Sequence, residues 1–335
     1  MSASAAAPDI SVVIPVYNEE LVLPRLFERL YPALEALRRS YEVVFIDDGS
    51  RDASVALLHR QFLHRPEVTR VVVLKSNFGQ HAAILAGFAH TRGHFVITLD
   101  ADLQNPPEEI HKLVAKLDEG YDYVGSIRRQ RRDRLWRHVL SRLMNRLREK
   151  ITRIHMTDQG CMLRGYDRAI IDVLRASQEV TTYIPALAFL YAGRPTEVMV
   201  EHEERELGQS KYSLFRLIQL NFDLMTGFST APLRIFSLGG IVISCGSLFF
   251  VLYLAIRRLM IGPEAEGVFT LFAIAYFLIG ITLFGIGLMG EYMGRIYHQT
   301  LARPRYLVRT VLEHPSAATG LTPAGVNPDR EPAPR

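Results

Sequence analysis

Residues 94–109 read HFVITLDADLQNPPEE. An apolar run rich in β-branched residues stops abruptly at two aspartates, Asp100 and Asp102, and then at a Pro-Pro turn with two glutamates. A short, nearly continuous apolar run bounded by turn residues predicts a strand buried on both faces. Pro106 and Pro107 open the following helix, with Glu108 and Glu109 in its first turn, where negative charge suits the helix dipole. Working outward, the same kind of run recurs as ISVVIPVY from Ile10, YEVVFID, RVVVLKS and YDYVGSI. Helical patterns fit between them at about 20–38, 52–63, 80–91 and 107–119. This alternation predicts an α/β domain, Rossmann-like, with a mostly parallel sheet covered by helices on both sides. In such domains ligands bind outside the carboxyl ends of the strands. The polar clusters YNEE, DDGS, KSNFG and DADLQ all fall there.

The chain has 335 residues, 48 % of them hydrophobic, and the excess apolarity is concentrated near residues 235–290. Its formal net charge is +4. That mildly basic balance suits an anionic membrane surface or a phosphate-bearing substrate, and no nucleic-acid partner is expected. Of the two cysteines, Cys161 lies in GCMLRGY and Cys245 in an apolar run, so neither a disulfide framework nor a zinc site is implied. The start, MSASAAAPDI, has no basic and apolar leader pattern, which places the α/β domain in the cytoplasm as an expectation.

Residues 128–150, RRQRRDRLWRHVLSRLMNRLREK, are strongly basic, with Trp136, Leu140, Leu143, Met144 and Leu147 near helical spacing. They predict an amphipathic helix at about 134–150 lying on a membrane surface. Its plainer reading is a surface helix with a solvated basic face. Residues 235–256 and 267–290 carry no charge, and each is long enough to cross a bilayer core of about 30 Å. The expected organisation is therefore a flexible start at 1–9, a catalytic domain at 10–211 and a membrane-proximal linker helix at 212–232. Two transmembrane helices follow within 233–292, then a cytoplasmic segment at 293–314 and a disordered tail at 315–335. Both termini face the cytoplasm in this scheme.

Asp100 and Asp102 stand two apart at a strand end, so their side chains can point the same way. Two hard oxygen ligands, with Gln104 as a neutral third, suit Mg²⁺ or Mn²⁺, ions that keep waters and accept substrate phosphates. Asp48 in IDDGS can accept from the base or ribose of a nucleotide, or cap the next helix as a turn residue. Pro15, Tyr17 and Glu19 in PVYNEE can frame a nucleobase, or make a plain strand-to-helix turn.

The set VVIPVYNEE, IDDGSRD, NFGQHAAILAGF and LDADLQNPPEE resembles the inverting family 2 glycosyltransferases with a GT-A fold. RELGQSKYS followed by two apolar spans narrows the resemblance to polyprenyl-phosphate glycosyltransferases of the bacterial inner membrane. DQGCMLRGY, TTYIPALA, AEGVF, GEYMGRIY and ARPRYLV are similar to the members that act in lipid A modification, moving 4-deoxy-4-formamido-L-arabinose from UDP to undecaprenyl phosphate. One position departs from that pattern: Gln159 stands where an aromatic residue is expected.

The resemblance implies a reaction. The UDP-sugar donor lies on Pro15, Tyr17, Glu19, Asp48, Asp100 and Ala101. The metal at Asp100, Asp102 and Gln104 neutralises the diphosphate. The lipid phosphate, held by Arg128, Arg137, Arg142, Arg205 and Lys211, attacks the anomeric carbon and inverts it. Asp102 and Asp158 are the catalytic candidates, Asp158 as base or orienting group; its plainer reading is a loop residue capping an amide. For His81 and His155 a structural role is expected. The resemblance also implies a homo-oligomer, a tetramer in relatives. UDP-glucose is the alternative donor, and a non-catalytic nucleotide-binding membrane scaffold is the alternative class. A processive polysaccharide synthase would need a Q-x-x-R-W segment, which is absent from the chain.

Overall fold

The computed structural model describes residues 7–128, 156–158, 160–177, 183–203, 226, 229–261, 268–301 and 303–314. The basic amphipathic segment with Arg137, Arg142 and His155 lies outside the described residues. So do Gln159, Arg205, Lys211, most of the 212–232 linker and the tail at 315–335.

Five strands stand where the apolar runs predict them: β1 (Ile10–Val16), β2 (Tyr41–Asp47), β3 (Thr69–Leu74), β4 (Phe95–Thr98) and β5 (Tyr123–Arg128). Three more join them: β6 (Arg164–Asp167), β7 (Pro195–Val200) and β8 (Val308–Leu312). The order across the sheet is β7-β5-β6-β4-β1-β2-β3-β8. Strands β3, β2, β1 and β4 are mutually parallel, and β5 is parallel to β7. β6 runs antiparallel between β4 and β5, and β8 is an antiparallel edge against β3.

Helices α1 (Leu23–Ala36), α2 (Ser54–His64), α3 (Gln80–Ala89) and α4 (Ile110–Asp118) match the predicted positions within a few residues. The last begins later than Pro106: residues Pro107–Glu109 form a 3-10 turn, and the α-helix starts at Ile110. Among the described residues the remaining helices are α5 (Arg168–Ala176), α6 (Ile184–Tyr191), α7 (Ala231–Ile261) and α8 (Val268–Thr300).

Strand alternation sends Val12, Ile14 and Val16 to one face, where α1 and α4 supply Leu26, Leu30, Leu113 and Leu117. Val13, Val44 and Ile46 face the other way, onto Ala83 and Ala86 of α3, Ile171 of α5 and Leu187 of α6. Two apolar layers on one sheet fix its register, because a one-residue slip would reverse both.

α7 and α8 lie side by side near one end. The Tyr292 hydroxyl donates to the Ser229 carbonyl at 2.8 Å, and the Phe236 and Phe284 rings are 5.9 Å apart. Among the described residues one segment, Ile274–Thr300, is long and apolar enough to cross a membrane; the apolar stretch Ala231–Ile243 of α7 is shorter. After α8 the chain returns to the α/β domain as β8. The Lys75 amide donates to the Leu307 carbonyl at 2.8 Å, and Arg305 donates to the Ser177 carbonyl at 2.5 Å.

Candidate active site

The carboxyl ends of β1 and β2 are laced together. The Asn18 amide donates to Ser50 Oγ at 3.0 Å, the Arg51 amide to Asn18 Oδ1 at 2.8 Å, and the Ala53 amide to Glu20 Oε2 at 2.8 Å. Gly49 makes this loop possible. Its φ is +74°, and a Cβ there would stand 2.6 Å from the Ser76 carbonyl carbon. Asp47 accepts from the Gly49 and Ser50 amides. Asp48 accepts from the Phe78 amide at 2.7 Å and the Gly79 amide at 2.8 Å. Asp48 therefore carries the structural task of holding the turn into α3, whatever else its remaining lone pairs engage. Tyr17 is 43 % exposed at the mouth of this loop, and Pro15 and Glu19 are half-buried beside it.

Just past β4, Asp100 Oδ1 accepts from the Gln80 side-chain amide at 2.6 Å, and Asp102 Oδ1 accepts from the Gln104 amide at 3.1 Å. Ala101 is buried at 4 % exposure and packs into the core. Leu103 is left-handed, with φ +61°, a conformation costly for a residue with a Cβ. It turns the chain sharply between Asp102 and Gln104. Asp100 is pushed up to about 7, first by burial and then by the neighbouring charge of Asp102; the Gln80 bond and the Arg128 charge oppose this. No group of three His, Cys, Asp or Glu side chains poised for a metal occurs among the described residues. The acid pair can thus supply only part of a coordination sphere, leaving positions for water and phosphate oxygens.

At the end of β5, Arg128 grips Asp158 with both arms. Its Nε donates to Oδ2 at 2.7 Å and its Nη2 to Oδ1 at 2.8 Å. Asp158 Oδ1 also accepts from the Gly160 amide at 3.1 Å. The pair is largely buried, with the Asp158 side chain 6 % exposed. Burial and charge assistance make such a bidentate pair strong. Asp158 hydrogen bonding raises the Arg128 pKa, so Arg128 remains a cation, close enough to Asp100 to act on its charge.

Two residues join the site without having been expected there. Gln80, the first residue of α3, orients Asp100. His202, two residues past β7, has its pKa lowered first by burial and then by Arg128, with the Asp102 and Asp158 charges opposing. The NFG turn before α3 and the RELGQSK segment after His202 were the nearest sequence signals. The tripeptide Glu201–His202–Glu203 is pinned on both sides. The Glu201 amide donates to Glu109 Oε2 at 3.0 Å, and the Glu203 amide donates to the Gln104 carbonyl at 2.9 Å. Arg29 of α1 bridges Glu108 and Glu203 at 2.9 Å each. The glutamates of the opening stretch therefore fasten neighbouring segments rather than face a ligand. The His81 ring stands edge-on to Tyr183 at 5.3 Å, and burial lowers its pKa to about 4.

Comparison with known proteins identifies the family. The Glycosyl transferase family 2 profile matches residues 11–175. Undecaprenyl-phosphate 4-deoxy-4-formamido-L-arabinose transferase of Salmonella choleraesuis (strain SC-B67) is 50 % identical over 311 residues, covering 92 % of this chain and 95 % of that protein. The protein of the same description from Salmonella newport (strain SL254) matches to the same extent. Among solved structures, glucosyl-3-phosphoglycerate synthase from Mycobacterium tuberculosis, in complex with Mn²⁺, UDP and glucosyl-3-phosphoglycerate, has a TM-score of 0.45 at 19 % identity. That match covers 67 % of this chain and 80 % of that one. S. aureus TarS 1-349 in complex with UDP-GlcNAc has a TM-score of 0.43 at 19 % identity, covering 65 % of each chain. With half its residues shared over nearly the whole length of these relatives, the chain belongs to glycosyl transferase family 2, in the branch that holds the undecaprenyl-phosphate sugar transferases.

Proposed function

We propose that the protein transfers 4-deoxy-4-formamido-L-arabinose from its UDP donor to undecaprenyl phosphate at the cytoplasmic face of a bacterial inner membrane, inverting the anomeric carbon. The observation that carries this reading is the acid pair of Asp100 and Asp102 after β4, standing within electrostatic reach of the Arg128–Asp158 pair at the end of β5. One cluster suits a diphosphate with its cation, and the other suits an incoming phosphate. The identity of the sugar and of the lipid comes from the Salmonella relatives.

Asp100 and Asp102, with the Gln104 side-chain oxygen, would hold Mg²⁺ or Mn²⁺. The upward shift of Asp100 supports this fit, since two crowded carboxylates gain most from a hard dication. When bound, the ion supplies charge neutralisation of the departing UDP. The rest falls to the chain. Tyr17 and Glu19 frame the base at the β1 end, and the Asp48-held turn sets the entry to α3, so that Gln80 keeps Asp100 aimed into the cleft. The acceptor phosphate is already an anion, so it needs orientation more than proton removal. Arg128 can orient it, and Asp158, with both oxygens engaged by Arg128, suits an orienting group better than a base. Arg137, Arg142, Arg205 and Lys211 complete the acceptor phosphate site in this reading.

Membrane attachment through α7 and α8 is part of the same proposal. Both helices expose large apolar side chains, among them Val242, Phe249, Tyr276 and Phe277. Because β8 pairs with β3, the chain that leaves the sheet domain before α7 comes back to it after α8. This reading takes an even number of crossings, with the catalytic domain and residue 314 on one side. A homo-oligomer, expected from the resemblance, belongs to this reading as well.

The test is a donor screen on purified full-length protein with undecaprenyl phosphate and Mg²⁺ or Mn²⁺. A lipid-linked product is expected with UDP-4-deoxy-4-formamido-L-arabinose in preference to UDP-glucose or UDP-N-acetylglucosamine. Product from UDP-glucose alone would reassign the sugar, and no product with any donor would overturn the transfer.

A further inference from the structure

Arg164, the first residue of β6, is the largest fully buried side chain among the described residues, with no exposure at all. A guanidinium is costly to bury, and it ordinarily brings a carboxylate with it. Among the described residues no carboxylate pairs with Arg164. Its donors go to neutral oxygens: Nε to the Cys161 carbonyl at 2.8 Å, Nη2 to the Asp158 carbonyl at 2.8 Å, and Nη1 to the Tyr123 hydroxyl. A methionine of similar volume would fill the same space between β4 and β5 without the desolvation cost, so packing alone does not explain an arginine here.

Its contacts lie on the loop that presents Asp158. A second anchor sits at the other end of that loop. Glu197 of β7 accepts from the Thr157 amide at 2.9 Å and from the Thr157 hydroxyl at 2.6 Å. Between these anchors Asp158 turns its carboxylate to Arg128 and to the Gly160 amide. The backbone at Asp158 and Cys161 is thus held by Arg164 and that at Thr157 by Glu197, while the Asp158 carboxylate holds Arg128.

We propose that Arg164 is a positioning residue: by holding the Asp158 and Cys161 carbonyls from inside the core, it sets where Asp158 places the Arg128 guanidinium, and through it the phosphate of the lipid acceptor. The inference rests on the transfer reading given above. Arg164 touches neither substrate, and the nucleotide loops at 17–20, 48–54 and 100–104 are held by separate bonds. Its loss therefore acts on acceptor use and spares nucleotide binding.

The experiment is a double-mutant cycle in full-length protein with Arg164→Met and Arg128→Ala, reading KM for undecaprenyl phosphate, kcat, and the affinity for UDP in Mn²⁺ by calorimetry. Arg164→Met is expected to raise the acceptor KM about tenfold and to leave UDP affinity within about twofold. The double variant should be no worse than Arg128→Ala alone, because both changes remove the same placement. Additive losses, an acceptor KM within twofold of wild type, or a matching loss of UDP affinity would overturn the assignment. Should Arg164→Met fail to fold, Arg164→Lys carries the same cycle, since its single ammonium keeps the charge but cannot span both carbonyls. It is expected to give an intermediate acceptor KM, and a wild-type value would overturn the assignment. Absence of transfer by the wild-type protein would instead refute the transfer reading itself, a result distinct from all of these.

Discussion

At Gly160 a single methyl group would meet the Arg128 guanidinium: a Cβ there would stand 2.9 Å from Nη2. The guanidinium is held by two bonds to Asp158 and has little freedom to yield. Gly160→Ala is therefore expected to cost only about 1 kcal/mol of stability while raising the acceptor KM, which denaturant melts and steady-state kinetics would check together. His81 offers a pH test. Its folded pKa of about 4 lies below the ordinary value of 6.5, so the neutral ring is the folded form. The stability it contributes is complete above pH 6.5 and is lost as pH falls toward 4, on the order of 3 kcal/mol in all. His81→Gln should flatten that part of the stability profile, and an unchanged slope would remove His81 as its source. Residues such as Asp100 and Asp102 were legible beforehand because they sit at the end of a continuous apolar run. The Arg128–Asp158 pair was not legible as a pair, since no local spacing rule links a strand end to a loop residue thirty positions on.

Among elements, β1 to β5 were readable because strands buried on both faces are written as Val- and Ile-rich runs. β6 was not, since RGYD has four residues and opens on a buried arginine that no hydrophobic pattern announces. β8 was hidden for a different reason. VRTVL lies beyond the apolar spans, and only tertiary pairing with β3 makes it a strand. The β8 strap makes a prediction at this scale. Val311 pairs with Val72 and packs against the core. Val311→Asp places a charge in that contact and should cost about 2 kcal/mol. UDP binding should survive, while transfer to membrane-embedded acceptor falls. The Arg29 bridge to Glu108 and Glu203 is partly exposed, so Arg29→Ala is expected to lower stability by about 1 kcal/mol or less despite its four hydrogen bonds. Chemical denaturation measures this directly.

At the scale of the whole molecule, the sheet does two things at once. Its carboxyl edge gathers the acid pair, Arg128 and His202, and its outer edge takes back the chain after α8. Reporters fused at either terminus should both read as cytoplasmic in cells, and opposite readings would contradict the proposed even number of crossings. In the proposed function, the acid pair after β4 makes glycosyl transfer possible on a lipid phosphate. The most direct measurement compares wild-type protein with Asp102→Asn for formation of sugar-linked undecaprenyl phosphate from the UDP donor in Mn²⁺, with UDP release followed in parallel. The wild type should form the lipid product, and the variant should fold normally yet lose at least about a hundredfold in rate. Equal product formation by the two proteins would remove the acid pair from the transfer.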